Sequence, residues 1–191
     1  AILDKDAHFE MCSLNLGAKL SRNNIDISIA GEGAHATVNG IYKTNEQRQS
    51  DTYSHIHHHA AHTTSAQLYK GILSDEAKGI FTGRVHVHKD SQLINSEQLN
   101  RILLLSPKAH SHSQPQLEIF ADDVKCSHGS TTGQIEEEAL FYLQSRGIKR
   151  TDAMELMVRG FANEVVDKVE NQDMKKYIQN SLIQKMEGMI Q

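Results

Sequence analysis

The sequence predicts a mainly β fold followed by a small helical region, on three observations. Apolar and polar residues alternate in short runs as far as Gly133. Turn-forming residues separate these runs at intervals of about ten residues, with no helical stretch between them. After Gly133 the apolar period becomes that of a helix. Alternation alone leaves a sandwich, a barrel and a β-solenoid open.

Leu14 and Leu16 mark a first strand, Ile25, Ile27 and Ile29 a second, and Val38, Gly40 and Tyr42 a third. Asn23-Asn24, Gly31-Glu32-Gly33, Ser74-Asp75 and Asp122-Asp123 read as turns. Residues 71–77 and 102–109 repeat one pattern, an apolar strand, then Ser, then a turn, then Ala, and this recurrence favours the solenoid. Between them Val85 and Val87 continue the alternation, with Gly79 where the backbone is expected to bend at a corner. In a solenoid Leu104 is expected to face the interior. Residues 1–133 are therefore assigned to a β core and 134–191 to a helical domain. Because the chain opens on Ala1 and runs at once into strand-like sequence, an N-terminal portion is expected to precede it.

Three helices are predicted. Consecutive glutamates from Glu136 suit the positive end of a helix dipole, and Arg146-Gly147 forms a stop. Thr151-Asp152 opens the second helix, with Asp152 and Glu155 spaced as a capping box and Leu156, Met157, Phe161, Val165 and Val169 on the apolar face. The third starts after Asn171, with Met174, Ile178, Leu182 and Met186 along one face and Lys175, Lys176 and Lys185 on the other. So small a bundle has little core of its own and is expected to pack on the β core, a partner, or both.

Composition narrows the function. A hydrophobic fraction of 38% and a charged fraction of 23% fit a globular protein. The net charge of −4, with dispersed Lys and Arg, gives no footprint for nucleic acid or an anionic membrane. No apolar run approaches the roughly 18–20 residues of a spanning helix. Two distant cysteines, Cys12 and Cys126, form neither a disulfide framework nor a CxxC site, and a reducing, cytoplasmic location is expected.

Twelve histidines stand out, several at alternate positions: His55, His57 and His59; His86 and His88; His110 and His112. On a strand each set shares a face and can offer two imidazoles to one metal, as in a metal-dependent cupin-type β-barrel enzyme. The plainer reading is a polar outer face, since no Asp or Glu stands at a spacing that completes a ligand set. Cys126 and His128, two apart after the Asp122-Asp123 turn, also share a face; a thiol beside an imidazole serves as a nucleophile, a metal or sulfur ligand, or packed core. No oxyanion donor or orienting third group accompanies them. No GxGxxG or GxxxxGK[ST] pattern supports nucleotide binding.

Longer stretches carry a resemblance. Residues 116–135, running from Gln116-Leu-Glu-Ile-Phe through Cys126-Ser-His-Gly to Ile135, are similar to the SufB/SufD family of the SUF iron–sulfur cluster assembly system. So are Leu140-Phe-Tyr-Leu-Gln-Ser-Arg-Gly-Ile148, Gly160-Phe-Ala-Asn-Glu-Val165, His62-Thr-Thr-Ser-Ala-Gln-Leu-Tyr-Lys-Gly-Ile72 and Asn100-Arg-Ile-Leu-Leu-Leu-Ser106. Asn100 stands where SufB-like chains have a cysteine, and Cys126-Ser-His-Gly replaces their Leu-Glu-His-Glu, which resembles the SufD branch.

The resemblance implies a right-handed parallel β-helix, a non-catalytic scaffold role, pairing with a SufB-like subunit, and a C-terminal helical domain that docks a SufC-like ABC ATPase. Sulfur would arrive from a cysteine desulfurase system. It points to His128 and Cys126 at the cluster-assembly interface, with His128 a candidate metal ligand, and to Phe141, Tyr142, Arg146 and Phe161 for ATPase docking. The cluster would be transient in the complex, with no cofactor stably held by this chain alone, and a homodimer is admitted when the partner is absent.

Overall fold

A computed structural model describes residues 1–186 of the chain, with side chains to residue 184; Lys185, Met186 and the remaining helical-domain positions to 191 lie outside the described side chains or residues. Ten strands precede three helices among the described residues: β1 Ile2–Leu3, β2 His8–Asn15, β3 Leu20–Ile29, β4 His35–Thr44, β5 Gln49–His58, β6 Thr64–Leu73, β7 Lys78–Val87, β8 Ile94–Leu104, β9 His110–Ile119, β10 Val124–Gln134, α1 Glu137–Ser145, α2 Arg150–Val166 and α3 Gln172–Met186. Odd strands form one parallel sheet, β1-β3-β5-β7-β9, and even strands the other, β10-β8-β6-β4-β2. The chain is thus a β-solenoid in which each coil gives one strand to each sheet. Leu20 pairs with Gln49 one coil on, and Lys78 with His110. Every step to a parallel neighbour is a crossover, for which sterics favour the right hand. Parallel strands in two open sheets are not a cupin barrel, so that alternative does not describe this fold.

The apolar alternation lines the interior. Ile25, Ile27, Ile29, Val38, Ile56, Phe81 and Ile102 form one column of buried side chains between the sheets. Tyrosines and glycines interlock there: Tyr42 lies over Gly71 and Tyr69 over Gly40, positions paired in register on β4 and β6. A Cβ on Gly71 would stand 2.3 Å from Tyr42 Cζ, which leaves room for hydrogen alone. Part of the interior is polar and linked by hydrogen bonds, as Gln98 Nε2 donates to Gln67 Oε1 (2.8 Å) and Gln67 Nε2 to Ser54 Oγ (2.6 Å).

The recurrence in the sequence is coil stacking. Gly71-Ile-Leu73 pairs with Ile102-Leu-Leu104, and the Ala77 and Ala109 amides each close onto Ser74 and Ser106 carbonyls. Leu104 faces inward as expected but, ending β8, is only partly buried. Asn23-Asn24 is not a turn; it lies within β3, where continuous pairing with β5 overrides the local preference. Gly33 (φ 74°) and Asp75 (φ 54°) do take left-handed corner conformations.

The helices lie on the outer face of the even sheet. Val158, Ala162, Val165 and Val166 of α2, with Ile178 and Leu182 of α3, pack on Ile41, Leu68 and Ile72. Over their C-terminal halves strands β4 and β6 are therefore buried on both faces. Gly147 (φ 86°) ends α1 in a Schellman motif, its amide bonded to the Gln144 carbonyl and that of Ile148 to Leu143. Asn171 Oδ1 caps α3 by accepting from the amides of Asp173 and Met174, both at 3.0 Å.

Two helical details differ from expectation. The Asp152/Glu155 capping box is not formed, because the N-cap of α2 is Lys149, three residues before Asp152, and Glu155 pairs with Arg159 instead. The buried face of α2 is rotated toward small residues, which let it approach the sheet, leaving Leu156 exposed; Met174 of α3 is exposed as well.

Lys70 pins α2 to the sheet. Its side chain, 3% exposed, donates to the Phe161 carbonyl (2.7 Å), lies 4.3 Å from the Phe161 ring centre and pairs with Glu164, which also binds Arg101 at 3.0 Å.

Candidate functional site

The solenoid ends at β9 and β10, whose outer edges pair with no strand among the described residues. Register with β8 places Cys126 against Ser96 and His128 against Gln98, two buried interior positions. Both side chains of β10 therefore sit on the interior-facing side, as their two-residue spacing requires. Because no further coil covers them, Cys126 is half-buried and His128 exposed. The packed-core and ligand readings of this pair are thus compatible at an uncapped end.

Cys126 packs with Val124 and Leu117 against Val85, Val87, Ile94 and Ala121. Burial pushes its thiol above the usual range, against a smaller pull from a backbone hydrogen bond at Ser96. A protonated thiol at neutral pH is a poor nucleophile but a ligand once a metal displaces its proton. The clusters of three or more ligating groups among the described residues include neither Cys126 nor His128. Asn100, one coil inward, is fully buried and donates to Ser113 Oγ at 2.7 Å.

The residues expected to dock an ATPase divide. Phe141 and Tyr142 of α1 are exposed at 72% and 57%, and the Arg146 guanidinium lies 5.3 Å from the Tyr142 ring. Phe161 is partly buried against the sheet and carries the Lys70 contacts described above. Leu156 and Tyr177 add to the exposed apolar surface of the helices.

The histidine sets separate by face. Ile56, Val85 and Val87 point inward, so His55, His57, His86 and His88 point out from the odd sheet, while His58 alone turns in and bonds Thr63 and Ser65. Burial holds His58 down at about 4, so it is neutral. His110 and His112 are exposed on β9 and join no ligand cluster. Carboxylates do reach the outward imidazoles, contrary to the sequence spacing: parallel register brings Asp26 beside His55 and Glu118 beside His86. Residues one coil apart become neighbours, which local spacing cannot reveal.

These features define a parallel β-solenoid with an open terminal coil and a helical flank. Residues 1–161 match the family model described as SUF system FeS cluster assembly, SufBD core domain, and the chain belongs to that family. It is 39% identical over 165 residues to an iron–sulfur cluster assembly SufBD family protein of Synechocystis, covering 86% of this chain and 36% of that one. It is 33% identical over 187 residues to the iron–sulfur cluster assembly protein SufD of Escherichia coli, covering 98% and 44%. A chloroplastic Arabidopsis thaliana protein, ABCI7, is 32% identical over 178 residues, with 93% and 38% covered. The chain thus spans less than half the length of these relatives. No helix among the described residues is long and apolar enough to cross a membrane.

Proposed function

We propose that this chain belongs to a SufD-like scaffold subunit, itself non-catalytic, that pairs with a SufB-like subunit and docks a SufC-like ABC ATPase during iron–sulfur cluster assembly. The observation that carries the reading is the uncovered end of the solenoid. There two unpaired strand edges flank Cys126 and His128 on the interior-facing side of β10. An open edge of parallel strands is a template for another chain's backbone, and a partner seated on it would cover the two donors and add its own. The cluster is cargo built at that junction from sulfur delivered by a cysteine desulfurase system, not a cofactor of this subunit. Without the SufB-like partner the same edges suit a homodimer.

The helices supply a second surface. Their inner faces are spent on the even sheet, while Phe141, Tyr142 and Leu156 remain outside and fit ATPase docking. With two free thiols and no basic patch, a reducing cytoplasmic setting suits the chain and nucleic acid does not.

The test is co-expression with SufB-like and SufC-like subunits followed by affinity capture, with in vivo complementation. Wild type is expected to retain both partners. His128→Ala should keep both yet impair maturation of iron–sulfur proteins, with a smaller effect for Cys126→Ala. Capture of neither partner, or full complementation by His128→Ala, overturns the reading.

A further inference from the structure

The outward face of the odd sheet carries a histidine cluster to which cluster assembly at the open end gives no role. His57 of β5 pairs in register with His86 of β7, and His59, just past β5, stacks on His88 with ring centres 4.0 Å apart. His57 lies 5.6 Å from His59 and 6.0 Å from His88, centre to centre, both nearly parallel. The ligating nitrogens of His57, His59 and His88 lie within 4.8 Å of one another. Zinc–nitrogen bonds of about 2.0–2.1 Å place tetrahedral donors about 3.4 Å apart, so ring rotations of about an ångström close the set.

Two further observations point to a ligand. The Nε2 atoms of His88 and His55 are buried without a hydrogen-bond partner, a cost that a solvated polar face would avoid. Anionic support is also in place: Glu118 Oε2 lies 2.9 Å from His86 Nδ1, and Asp26 Oδ2 lies 3.9 Å from His57 Nε2. Arg84, 3.4 Å from Glu118, is the opposing cation at this patch.

We propose that His57, His59 and His88 bind one divalent transition-metal ion of the zinc class, with water completing the coordination. Imidazole donors suit zinc, cobalt, nickel and copper, and the carboxylates of Asp26 and Glu118 offset the incoming charge from outside the ligand set. The site lies on a flank rather than at the open end, so its occupancy is independent of partner pairing.

The test uses the untagged chain, freed of metal. Zinc affinity is measured by competition with a chromogenic chelator, and the cobalt complex by its visible absorption. Wild type is expected to bind one equivalent, with His59→Ala/His88→Ala weakening binding more than tenfold. Asp26→Asn should stay within threefold, and Cys12→Ser and Cys126→Ser should be unchanged. If the double variant does not fold, as judged by circular dichroism, His88→Ser alone is read in the same way. Equal affinity in wild type and the histidine variant overturns the proposal. So does a loss in Asp26→Asn as large as that of the histidine variant, which would move the ion to Asp26, His55 and His57.

Discussion

Gly71→Ala probes the interlocked tyrosines directly. The added methyl would lie 2.3 Å from Tyr42 Cζ and 2.5 Å from Cε2 and Oη. Ordinary carbon contacts begin near 3.5 Å, so the ring must retreat by about an ångström. It has no direction in which to go: Tyr42 is 1% exposed, and a Cβ on Gly79 would already meet its Cε2 at 2.9 Å. Overpacking of this kind costs about 1–3 kcal/mol. For a chain of this size that lowers the melting temperature by roughly 3–10 °C. Thermal and urea unfolding followed by circular dichroism would measure it. Gly160→Ala is the internal contrast, because nothing stands within 4 Å of the new methyl in the middle of α2. Removing glycine from a helix interior should stabilise by about 0.5–1 kcal/mol. Opposite signs are thus expected from one substitution at two sites. In a Tyr42→Val background the cost of Gly71→Ala should largely vanish, since the clashing ring is gone. A Gly71→Ala protein within about 0.5 kcal/mol of wild type, or an undiminished cost in the Tyr42→Val background, would refute the packing argument.

Glu164→Ala strands the buried Lys70 cation with only the Phe161 carbonyl and ring, and is expected to cost about 1–3 kcal/mol in urea unfolding; Lys70→Met leaves no buried charge and should stay within about 1 kcal/mol. The hydrogen bond from Lys70, then the charges of Lys70 and Arg101, hold the Glu164 carboxyl below its ordinary value. Its stabilisation is therefore present above the unfolded value of about 4.3 and lost as pH falls through the lower folded one, so Glu164→Gln should flatten the acid limb of the stability curve. Truncation after Gln134 uncovers Ile41, Leu68 and Ile72 and is expected to give a β-rich chain that self-associates, and a monomer in sedimentation would count against that packing. Cys126→Ala should lower stability by about 1 kcal/mol through lost contacts with Val85 and Ala121, whereas the exposed His128 should leave unfolding unchanged on substitution by Ala.

The alternating isoleucines and valines made β3, β4 and β7 legible, and the Ser-turn-Ala recurrence marked one coil stacked on the next. Strand β5 was harder to see because Ser50, Thr52 and Ser54 occupy its interior positions and mimic a solvated face. The face shared by Cys126 and His128 followed from period two, but their accessibility did not. It depends on β10 being the terminal strand of its sheet, a property of the stack rather than of any local run. The carboxylates near the histidines were invisible for a related reason, since Asp26 meets His55 only through parallel register across a whole coil. Small residues on α2 hid its buried face, because Ala153 and Ala162 carry little hydrophobic signal yet allow the closest approach.

One translational repeat underlies the different uses of the two outer faces and the interior. Successive coils place like-facing positions side by side, so residues a whole coil apart become neighbours on each outer face. On the even sheet the outer face carries Ile41, Leu68 and Ile72 among Asn39, Lys43 and Lys70, and burial of the apolar side chains together with the Lys70 contacts holds the helices on it. On the odd sheet two neighbouring rows are rich in titratable groups, Asp26, His55 and Arg84 in one and His57, His86 and Glu118 in the other, and among the described residues no helix packs there. The interior column is sealed between the sheets wherever a further coil follows. It reaches solvent at β10, where a backbone edge and two soft or borderline donors, Cys126 and His128, are presented together. Strand pairing fixes a partner's position at that edge to within one hydrogen-bond register, and register decides which partner side chains oppose the two donors. Under the proposed pairing this confers selectivity, because only a correctly registered partner would complete the site.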